Sequence, residues 1–330
     1  MCPPIWNISS PCWRKLLDPT AISIRKDGIH VKRTVNLIGA RMDLGASKRG
    51  ASLGPAAIRL AGLRQGLESL GYRVKDLGDV QPLTLEETEG NLRCAQQVTQ
   101  VDREVYDRVL ESLEEEALPV LLGGDHSIAA GSIAAVSQYY ARQGKSIGVI
   151  WIDAHGDWNN QDSTLSGNMH GMPFSAVCGF GPDCMVNFGQ APAYVDVTHC
   201  VQIGGRDIDS AERLRMKEAG VTTFSINMID QLGMAEVMRR AIEVAGTGTA
   251  GIHLSFDVDA ITPEAAPGTG TVVHSGLTTR EAFLAVESLS ASQKLLSMDM
   301  VEVNPILDVR NKTGILASEL VQSALGKVVF

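Results

Sequence analysis

Eight short apolar runs that alternate with helical patterns constrain the fold of this chain more than any other feature. The runs lie at residues 35–39, 73–77, 119–122, 147–153, 200–204, 221–225, 252–257 and 295–301. Helical patterns lie between most of them, at residues 55–70, 101–117, 128–143, 231–244, 279–290 and 313–325. Strands separated by helices indicate parallel pairing through right-handed crossovers, and continuous Val, Ile and Leu runs are typical of a sheet covered on both faces. We predict an α/β fold: a single three-layer α/β/α domain with an eight-stranded parallel sheet.

Acidic and imidazole side chains follow the apolar core of four of these runs. They are Asp125 and His126 in GGDHS, Asp153, His155 and Asp157 in DAHGD, Asp257 and Asp259 in FDVD, and Asp299 and Glu302 in the last run. Each motif alone has an ordinary structural explanation, because Asp and Ser cap helices and Asp-x-Asp occurs in turns. In open parallel sheets, however, ligands bind outside the carboxyl ends of the strands. We therefore expect these groups to meet in one crevice.

A crevice with four or more carboxylates needs a counter-charge, because acids at close range cannot all stay ionised. Protons would supply it, but metal cations supply it more effectively. Carboxylates and imidazoles favour Mn²⁺ or Mg²⁺ over metals that prefer thiolates, and the number of ligands suits two ions, which together activate a shared water. Asp153, His155 and Asp157 occupy alternate positions, so in an extended segment they point the same way and can face one metal pair.

Bulk composition argues against two other classes of function. The net charge of −9 does not fit a general nucleic-acid-binding protein, which needs a basic surface to neutralise phosphates. No apolar run approaches the ~20 residues of a membrane span, so we expect no membrane partner. The six cysteines include no C-x-x-C pair, a pattern that favours free thiols in a reducing cytosol. We predict a cytoplasmic protein.

Together, GGDHS, DAHGD and SFDVDAITP resemble the three metal motifs of the arginase, or ureohydrolase, family. The resemblance extends over roughly residues 34–330, and the stretches VNLIGARMDLGASKRGASLGP and EVNPILDVRNKT are similar to bacterial arginases in particular. It implies an arginase/deacetylase-like fold and two Mn²⁺ ions per chain. The implied ligands are His126, Asp153, Asp157 and Asp257 for one ion, and Asp153, His155, Asp257 and Asp259 for the other. A hydroxide bridging the two ions would convert L-arginine to L-ornithine and urea.

The same resemblance implies how the substrate is held. It assigns seven residues to substrate binding: Asn159, Ser166, Asn168, Asp207, Asp209, Glu212 and Thr271. The neutral side chains of the first three would contact the α-carboxylate, and Asp209 would receive the α-ammonium with the other two acids in support. Agmatine has no α-carboxylate, so the SGN loop favours arginine as the substrate.

Three catalytic roles also follow from the resemblance. Glu302 would pair with the substrate guanidinium through both carboxylate oxygens. His170 would serve as a proton shuttle, since an unperturbed imidazole pKa of about 6.5 suits that task. The proton would reach the leaving amine directly or through Asp257. Taken alone, His170 is equally typical of an ordinary loop histidine and Glu302 of a structural cap or ion pair; Asp299 is predicted to be structural.

Several expectations complete this interpretation. Residues 1–33 have no counterpart in the family pattern, so we predict an irregular N-terminal extension followed by a catalytic domain at residues 34–330. Trp158 stands where smaller aliphatic residues are usual, and we expect it to narrow the pocket mouth or to reorient Asn159. The resemblance implies a homo-oligomer, either a hexamer or a trimer. The alternatives are another ureohydrolase (agmatinase or guanidinobutyrase), a non-catalytic arginine-binding paralogue, and a one-zinc deacetylase of related fold.

Overall fold

Eight strands form the frame of the computed structural model, which describes residues 32–84 and 90–328. They are β1 (Lys32–Ala40), β2 (Tyr72–Val80), β3 (Leu118–Leu122), β4 (Gly148–Ile152), β5 (Cys200–Ile203), β6 (Thr222–Phe224), β7 (Ile252–Asp257) and β8 (Leu295–Val301). Each predicted apolar run coincides with one strand. The predicted extension at residues 1–33 lies outside the described residues except for its last two, which begin β1.

Ten α-helices connect and cover these strands within the described residues. They are α1 (Gly54–Leu60), α2 (Leu63–Ser69), α3 (Ala95–Glu114), α4 (Ala129–Ala141), α5 (Pro173–Val177), α6 (Ser210–Ala219), α7 (Ile226–Leu232), α8 (Met234–Gly246), α9 (Thr279–Ser292) and α10 (Lys312–Ala324). The sequence patterns do not predict α5 or α6. The prediction of one continuous helix is wrong at residues 55–70 and 231–244. Gly62 (φ 81°) separates α1 from α2, and Gly233 (φ 76°) separates α7 from α8, because a positive φ cannot continue a right-handed helix.

The strands form one sheet in the order β2-β1-β3-β8-β7-β4-β5-β6, and every pairing is parallel. Successive residues of each central strand point to opposite faces of the sheet and lie in different apolar layers. In β4, Ile150 and Ile152 belong to the layer on one face, whereas Val149 and Trp151 belong to the layer on the other. Helices bury both layers, so the predicted α/β/α domain with an eight-stranded parallel sheet is confirmed.

The sheet order brings the polar motifs together. The strands β3, β8, β7 and β4 are neighbours at the centre of the sheet. GGDHS follows β3, and Glu302 follows β8. Asp257 ends β7 with Asp259 two residues later, and DAHGD follows β4. Because all strands are parallel, these segments leave the sheet at the same edge. Among residues 32–84 and 90–328, no helix combines the length and apolar character that a bilayer crossing demands.

Candidate metal centre and active site

His126 is the centre of a first group of potential ligands, directly after β3. Its Nε2 lies 2.9 Å from Ser255 Oγ, which turns Nδ1 toward the acids. Three carboxylate oxygens surround Nδ1: Asp153 Oδ2 at 3.0 Å, Asp157 Oδ2 at 3.1 Å and Asp257 Oδ2 at 3.2 Å. All four of these side chains are buried. A nitrogen and three oxygens from three strand ends are thus brought to one place.

A second group adjoins the first and shares one residue with it. His155 Nδ1 lies 3.3 Å from Asp153 Oδ1 and 3.1 Å from Asp259 Oδ2. Asp153 therefore directs one oxygen to each imidazole. Backbone N–H groups hold these acids in place: that of His155 donates to Asp153 Oδ1 at 2.7 Å, and that of Asp259 donates to Asp257 Oδ1 at 2.7 Å. The geometry is that of two adjacent sites joined by a bridging carboxylate.

The two glycines of GGDHS allow this close packing. A Cβ on Gly123 would lie 2.6 Å from Val301 Cα, and one on Gly124 would lie 2.5 Å from a backbone oxygen of the neighbouring loop. A larger residue at Gly123 would push the loop away from the end of β8, and one at Gly124 would push it away from the segment after β1. The close approach lets the backbone N–H of His126 donate to Glu302 Oε1 at 2.9 Å.

Two residues of the site have strained backbone conformations. Asp157 has φ 47° and Glu302 has φ 62°, both in the left-handed region that residues other than glycine seldom occupy. Such strain costs about 1–3 kcal/mol and persists where the surrounding structure enforces it. Here the Ser175 N–H donates to the Asp157 carbonyl at 3.2 Å, and the Glu302 N–H donates to the Gly124 carbonyl at 2.8 Å.

Burial and mutual repulsion shift the acids of the cluster toward their neutral forms. Burial, reinforced by neighbouring carboxylates, raises the pKa of Asp257 well above its usual range. Burial and the Asp153 charge raise the pKa of Asp157 to about 6. Asp153 is different: burial again opposes its charge, but the adjacent imidazoles of His126 and His155 hold its pKa below the usual range. Burial would lower the pKa of both imidazoles, but their acid partners outweigh it and raise both pKa values.

The donor set fits divalent cations. His126 Nδ1 makes no hydrogen bond of good geometry, although three carboxylate oxygens lie within 3.2 Å of it. The ring nitrogen and the acids face one another without hydrogen bonding. Such an arrangement is typical of a site in which all of them can bind the same ion. Oxygen-rich ligands with imidazole suit Mn²⁺ or Mg²⁺. His126, Asp153 and Asp257 form one possible metal-binding group, and Asp153, His155 and Asp259 form a second.

Outer partners that the sequence interpretation missed support these ligands. Trp151 donates its Nε1–H to Asp153 Oδ2 at 2.9 Å and stacks on the His126 ring at a centroid distance of 4.1 Å. Ser255 Oγ lies 2.9 Å from Nε2, at the edge of the His126 ring, and fixes the orientation of the ring. Trp151 and Ser255 each precede a ligand by two positions, and residues two apart lie on the same face of a strand. That period was a usable signal for finding both. Such partners orient the ligands and tune metal affinity.

Glu302 and His170 form a coupled pair beside the first group. His170 Nδ1 lies 3.0 Å from Glu302 Oε1, the same oxygen that accepts from the His126 N–H. Burial would lower the pKa of His170, but the Glu302 carboxylate outweighs it and raises that pKa to about 9. The His170 backbone N–H donates to the Gly45 carbonyl at 3.1 Å, and the Gly45 N–H donates to Asp125 Oδ2 at 2.8 Å. Asp125, which carried no predicted role, thereby links the His170 segment to the GGDHS loop.

A cavity of about 280 Å³ opens above the two groups. Its lining residues are His155, Asp157, Asn159, Ser166, His170, Gly171, Asp207, Asp209, Glu212, Asp257, Asp259 and Thr271. All but one of these were predicted as site residues from sequence. His126 and Asp153 are buried and are not among the lining residues, nor are Glu302 and Asn168.

The predicted substrate-binding acids differ in their surroundings. Asp207 and Asp209 are exposed, and Asp207 Oδ2 lies 4.0 Å from His155 Nε2. Glu212 is buried and accepts a hydrogen bond from the Trp158 N–H at 2.8 Å. Burial raises the pKa of Glu212 to about 7, although the bond from Trp158 opposes the shift. Glu212 therefore supports the chain at Trp158, whereas the other two acids face the cavity mouth.

Trp158 does not have the position expected for a residue that narrows the mouth. Its side chain is completely buried. It meets Phe174 edge to face, with ring centroids 4.9 Å apart and an interplanar angle of 88°, and it packs on Phe180 at 5.7 Å. The expectation of a narrowed mouth is wrong, because the indole lies in the core behind the cavity.

Comparison with known proteins agrees with this geometry. The Arginase family model matches residues 33–326. An arginase from Bacillus subtilis is 42% identical over 298 residues, 89% of this chain and 98% of that protein, and one from Bacillus caldovelox is 40% identical over 300 residues, 89% of this chain and 99% of that protein. The crystal structure of arginase from Bacillus cereus superposes with a TM-score of 0.84 at 41% identity, covering 90% of this chain and all of that one. A chain with these motifs, this sheet and this degree of identity belongs to the arginase family.

Proposed function

We propose that this chain hydrolyses L-arginine to L-ornithine and urea with two Mn²⁺ ions per chain. The observation that carries the proposal is the pair of adjacent imidazole–carboxylate groups that share Asp153, with oxygens 3.0–3.3 Å from the two Nδ1 atoms. Membership of the arginase family and about 40% identity to arginases support arginine as the substrate.

The proposed ligands come from the two groups described above. His126, Asp153, Asp157 and Asp257 would hold one ion, and Asp153, His155, Asp257 and Asp259 the other. When bound, two such ions lower the pKa of a shared water and stabilise the charge of the transition state. The reaction forms a bond between water oxygen and the guanidinium carbon and breaks the bond from that carbon to the side-chain nitrogen of arginine. A proton must then reach the departing amine.

Glu302 and His170 are proposed to orient the substrate and move that proton. Glu302 Oε1 already accepts from the His126 N–H and lies against His170 Nδ1, so we propose that Oε2 alone, rather than both oxygens as the resemblance implied, pairs with the substrate guanidinium. His170 lines the cavity, and its raised pKa of about 9 favours the protonated form near neutral pH in the metal-free chain. An imidazolium held in this way can donate a proton. Asp257, which also lines the cavity, is the second proposed route for the proton.

The amino-acid end of arginine is proposed to lie at the cavity mouth. Asp209 would bind the α-ammonium, with Asp207 beside it and Glu212 supporting the chain at Trp158. Asn159, Ser166 and Asn168 would contact the α-carboxylate, and Thr271 also lines the cavity. Neutral donors suit a carboxylate in a site that is already acidic, because they add no further charge.

We also infer a cytoplasmic homo-oligomer, a hexamer or a trimer. The thiols of Cys178, Cys184 and Cys200, which form no disulfide within the described residues, are consistent with a reducing compartment. Light scattering of the metal-loaded protein would measure the number of chains in the assembly.

The test of the proposed function compares arginine with agmatine, which lacks the α-carboxylate, and with guanidinobutyrate, which has a carboxylate but lacks the α-ammonium. The protein is stripped with a chelator, reloaded with Mn²⁺, and supplied with arginine, agmatine or guanidinobutyrate, and urea is measured from each. We expect urea from arginine far above the other two, a loss of activity in the stripped protein, and about two Mn per chain by elemental analysis. Agmatine or guanidinobutyrate as the preferred substrate would refute arginine specificity. Turnover that survives complete metal removal would refute the two-metal mechanism.

A further inference from the structure

Arg93 lies next to the loop that borders the proposed carboxylate end of the cavity. Its backbone N–H donates to the Gly167 carbonyl at 2.9 Å. Gly167 has φ 73°, and a Cβ there would lie 2.5 Å from the Asn91 carbonyl oxygen, so residues 91–93 and the SGN loop are closely fitted. Ser166, one residue away, lines the cavity.

The side chain of Arg93 contacts the same loop. Its Nη1–H donates to Asn168 Oδ1 and to Ser47 Oγ, both at 3.1 Å. A guanidinium has only donors, so the oxygen end of the Asn168 amide must face Arg93. The Asn168 Nδ2 donates to Ser47 Oγ at 2.8 Å. Arg93, Asn168 and Ser47 therefore form a hydrogen-bonded triangle beside the cavity mouth.

Arg93 also gives the mouth a charge asymmetry. Asp207 and Asp209 line the cavity and are exposed, whereas Ser166 and Asn159 line it without charge. Arg93 is a cation on the Ser166 side, and within the described residues it forms no ion pair with an acid. The head of an α-amino acid has the matching polarity, with an ammonium on one side and a carboxylate on the other.

We propose that Arg93 is a specificity-determining residue whose cation favours guanidino compounds that carry a carboxylate at the far end. This inference rests on the proposed function and deepens it. The acidic cavity attracts any guanidinium, including that of a decarboxylated analogue, so acids alone cannot select for the amino acid. A fixed cation beside Ser166 attracts the carboxylate and repels the extra positive charge of a ligand that lacks it.

A charge at an exposed rim has a modest effect that salt weakens. Pairs of exposed charges change an affinity by a factor of about five at most. The effect should fall as ionic strength rises, because the Debye length is about 3 Å at 1 M salt. It should appear in binding, because Arg93 does not touch the reacting atoms.

The experiment measures binding of L-ornithine and of 1,4-diaminobutane, which differ only by the carboxylate, to the Mn²⁺-loaded protein by calorimetry. The variants are Arg93→Met, Arg93→Lys and Arg93→Gln. Lys145→Met is the matched control, because it removes one exposed positive charge just before the opposite, amino end of β4. We expect Arg93→Met to weaken ornithine about fivefold, to leave diaminobutane within twofold, and to lose this difference in 1 M salt.

The conservative variants separate charge from hydrogen bonding. Arg93→Lys should keep most of the preference for ornithine, whereas Arg93→Gln should lose it while still donating to Asn168. The KM for arginine should rise in the Met and Gln variants without a matching fall in kcat. Equal weakening of both ligands, an effect no larger than that of Lys145→Met, or a full preference in Arg93→Gln would overturn the proposal. Absence of urea from arginine in the wild type would refute the proposed function instead, and the two binding curves would still test Arg93.

Discussion

The floor and the rim of the cavity are built in different ways. The metal floor consists of His126, Asp153, His155, Asp157, Asp257 and Asp259, and the substrate rim consists of Asn159, Ser166, Asp207, Asp209 and Thr271. The Asp153 side chain is 1% exposed, whereas that of Asp207 is 71% exposed. Floor residues sit at the ends of adjacent central strands, lie within 3.0–3.3 Å of one another, and accept hydrogen bonds from backbone N–H groups. Rim residues come from loops and meet mainly at the cavity.

The difference between floor and rim indicates that the floor residues carry out the reaction and the rim residues recognise the substrate. The sheet fixes the floor, so the ligand geometry can persist while the loops change. Recognition of the substrate head depends on loop residues whose positions the sheet does not enforce. Changes in the floor should therefore abolish turnover and metal binding together, and changes in the rim should alter substrate affinity with the metals retained.

The largest expected effect comes from His126→Ala, which removes the nitrogen that three carboxylates surround. Changes to the outer partners of metal ligands already cost about 10–100-fold in affinity or activity, so loss of a ligand should lower urea release by more than ~100-fold. Elemental analysis should show fewer than two metal ions per chain. His199→Ala is the control, because His199 precedes the amino end of β5 and its Nδ1 lies 3.1 Å from the Val244 carbonyl oxygen, away from the site. A fully active, fully loaded His126→Ala protein would contradict the division between floor and rim.

His170→Asn tests a residue between the two regions. General acid–base catalysis contributes roughly 10²–10⁴-fold, so we expect kcat to fall about 100-fold. The metal content should stay unchanged, because the imidazole of His170 is held by Glu302, which is not one of the proposed metal ligands. Steady-state kinetics and elemental analysis on one preparation measure both quantities. Loss of metal in parallel with activity would assign His170 to the floor instead.

Glu212→Gln tests the buried acid that supports Trp158. The pKa of Glu212 is raised from 4.5 to about 7, so its stabilising contribution is present below pH 4.5 and is lost as pH rises through 7. Gln keeps the oxygen that accepts from the Trp158 N–H and carries no charge. Metal-free Glu212→Gln should be more stable than the wild type at pH 8.5 by about 2 kcal/mol. Denaturant unfolding at pH 4.5 and 8.5 measures this, and equal differences at both values would exclude a charge effect.

Asp209→Asn should have the smallest effect, confined to affinity. A hydrogen bond to a charged group contributes about 1.5 kcal/mol or more, so the KM for arginine should rise roughly tenfold. The kcat and the two metals per chain should be retained. Asp230→Asn, on the distant helix α7, is the matched control. A fall in kcat without a change in KM would place Asp209 in the chemistry rather than in recognition.

The fold was predictable because its signal is local. Each strand is a continuous apolar run, and a parallel order follows from the alternation with helices. The breaks at Gly62 and Gly233 were not predictable from periodicity, because the apolar pattern continues across both glycines while the backbone does not. Helix α5 has five residues, too few to show a helical period, and the polar helix α6 lacks a strong apolar face, so neither gave a signal of its own.

The floor of the site was predictable for a similar reason. Its ligands lie at the ends of strands, where the side-chain direction follows from the strand period. Trp158 shows the limit of that reasoning: it follows a ligand directly, yet its indole points into the core beside Phe174 and Phe180. The contacts of Asn168 with Ser47 and Arg93 join residues that are 121 and 75 positions away in sequence, and no local pattern predicts them.

The sequence by itself determined the strands, the parallel sheet and the acids and imidazoles at its carboxyl edge, because these depend on periodicity and residue type. Only the tertiary structure decided that β3, β8, β7 and β4 are neighbours, that Asp153 lies between both imidazoles, and that Glu302 Oε1 joins His126 to His170. Those contacts depend on strand order and loop closure, which bring together residues far apart in the chain. The charges of the buried acids have the same origin, since burial and proximity set their pKa values and neither is written in the local sequence.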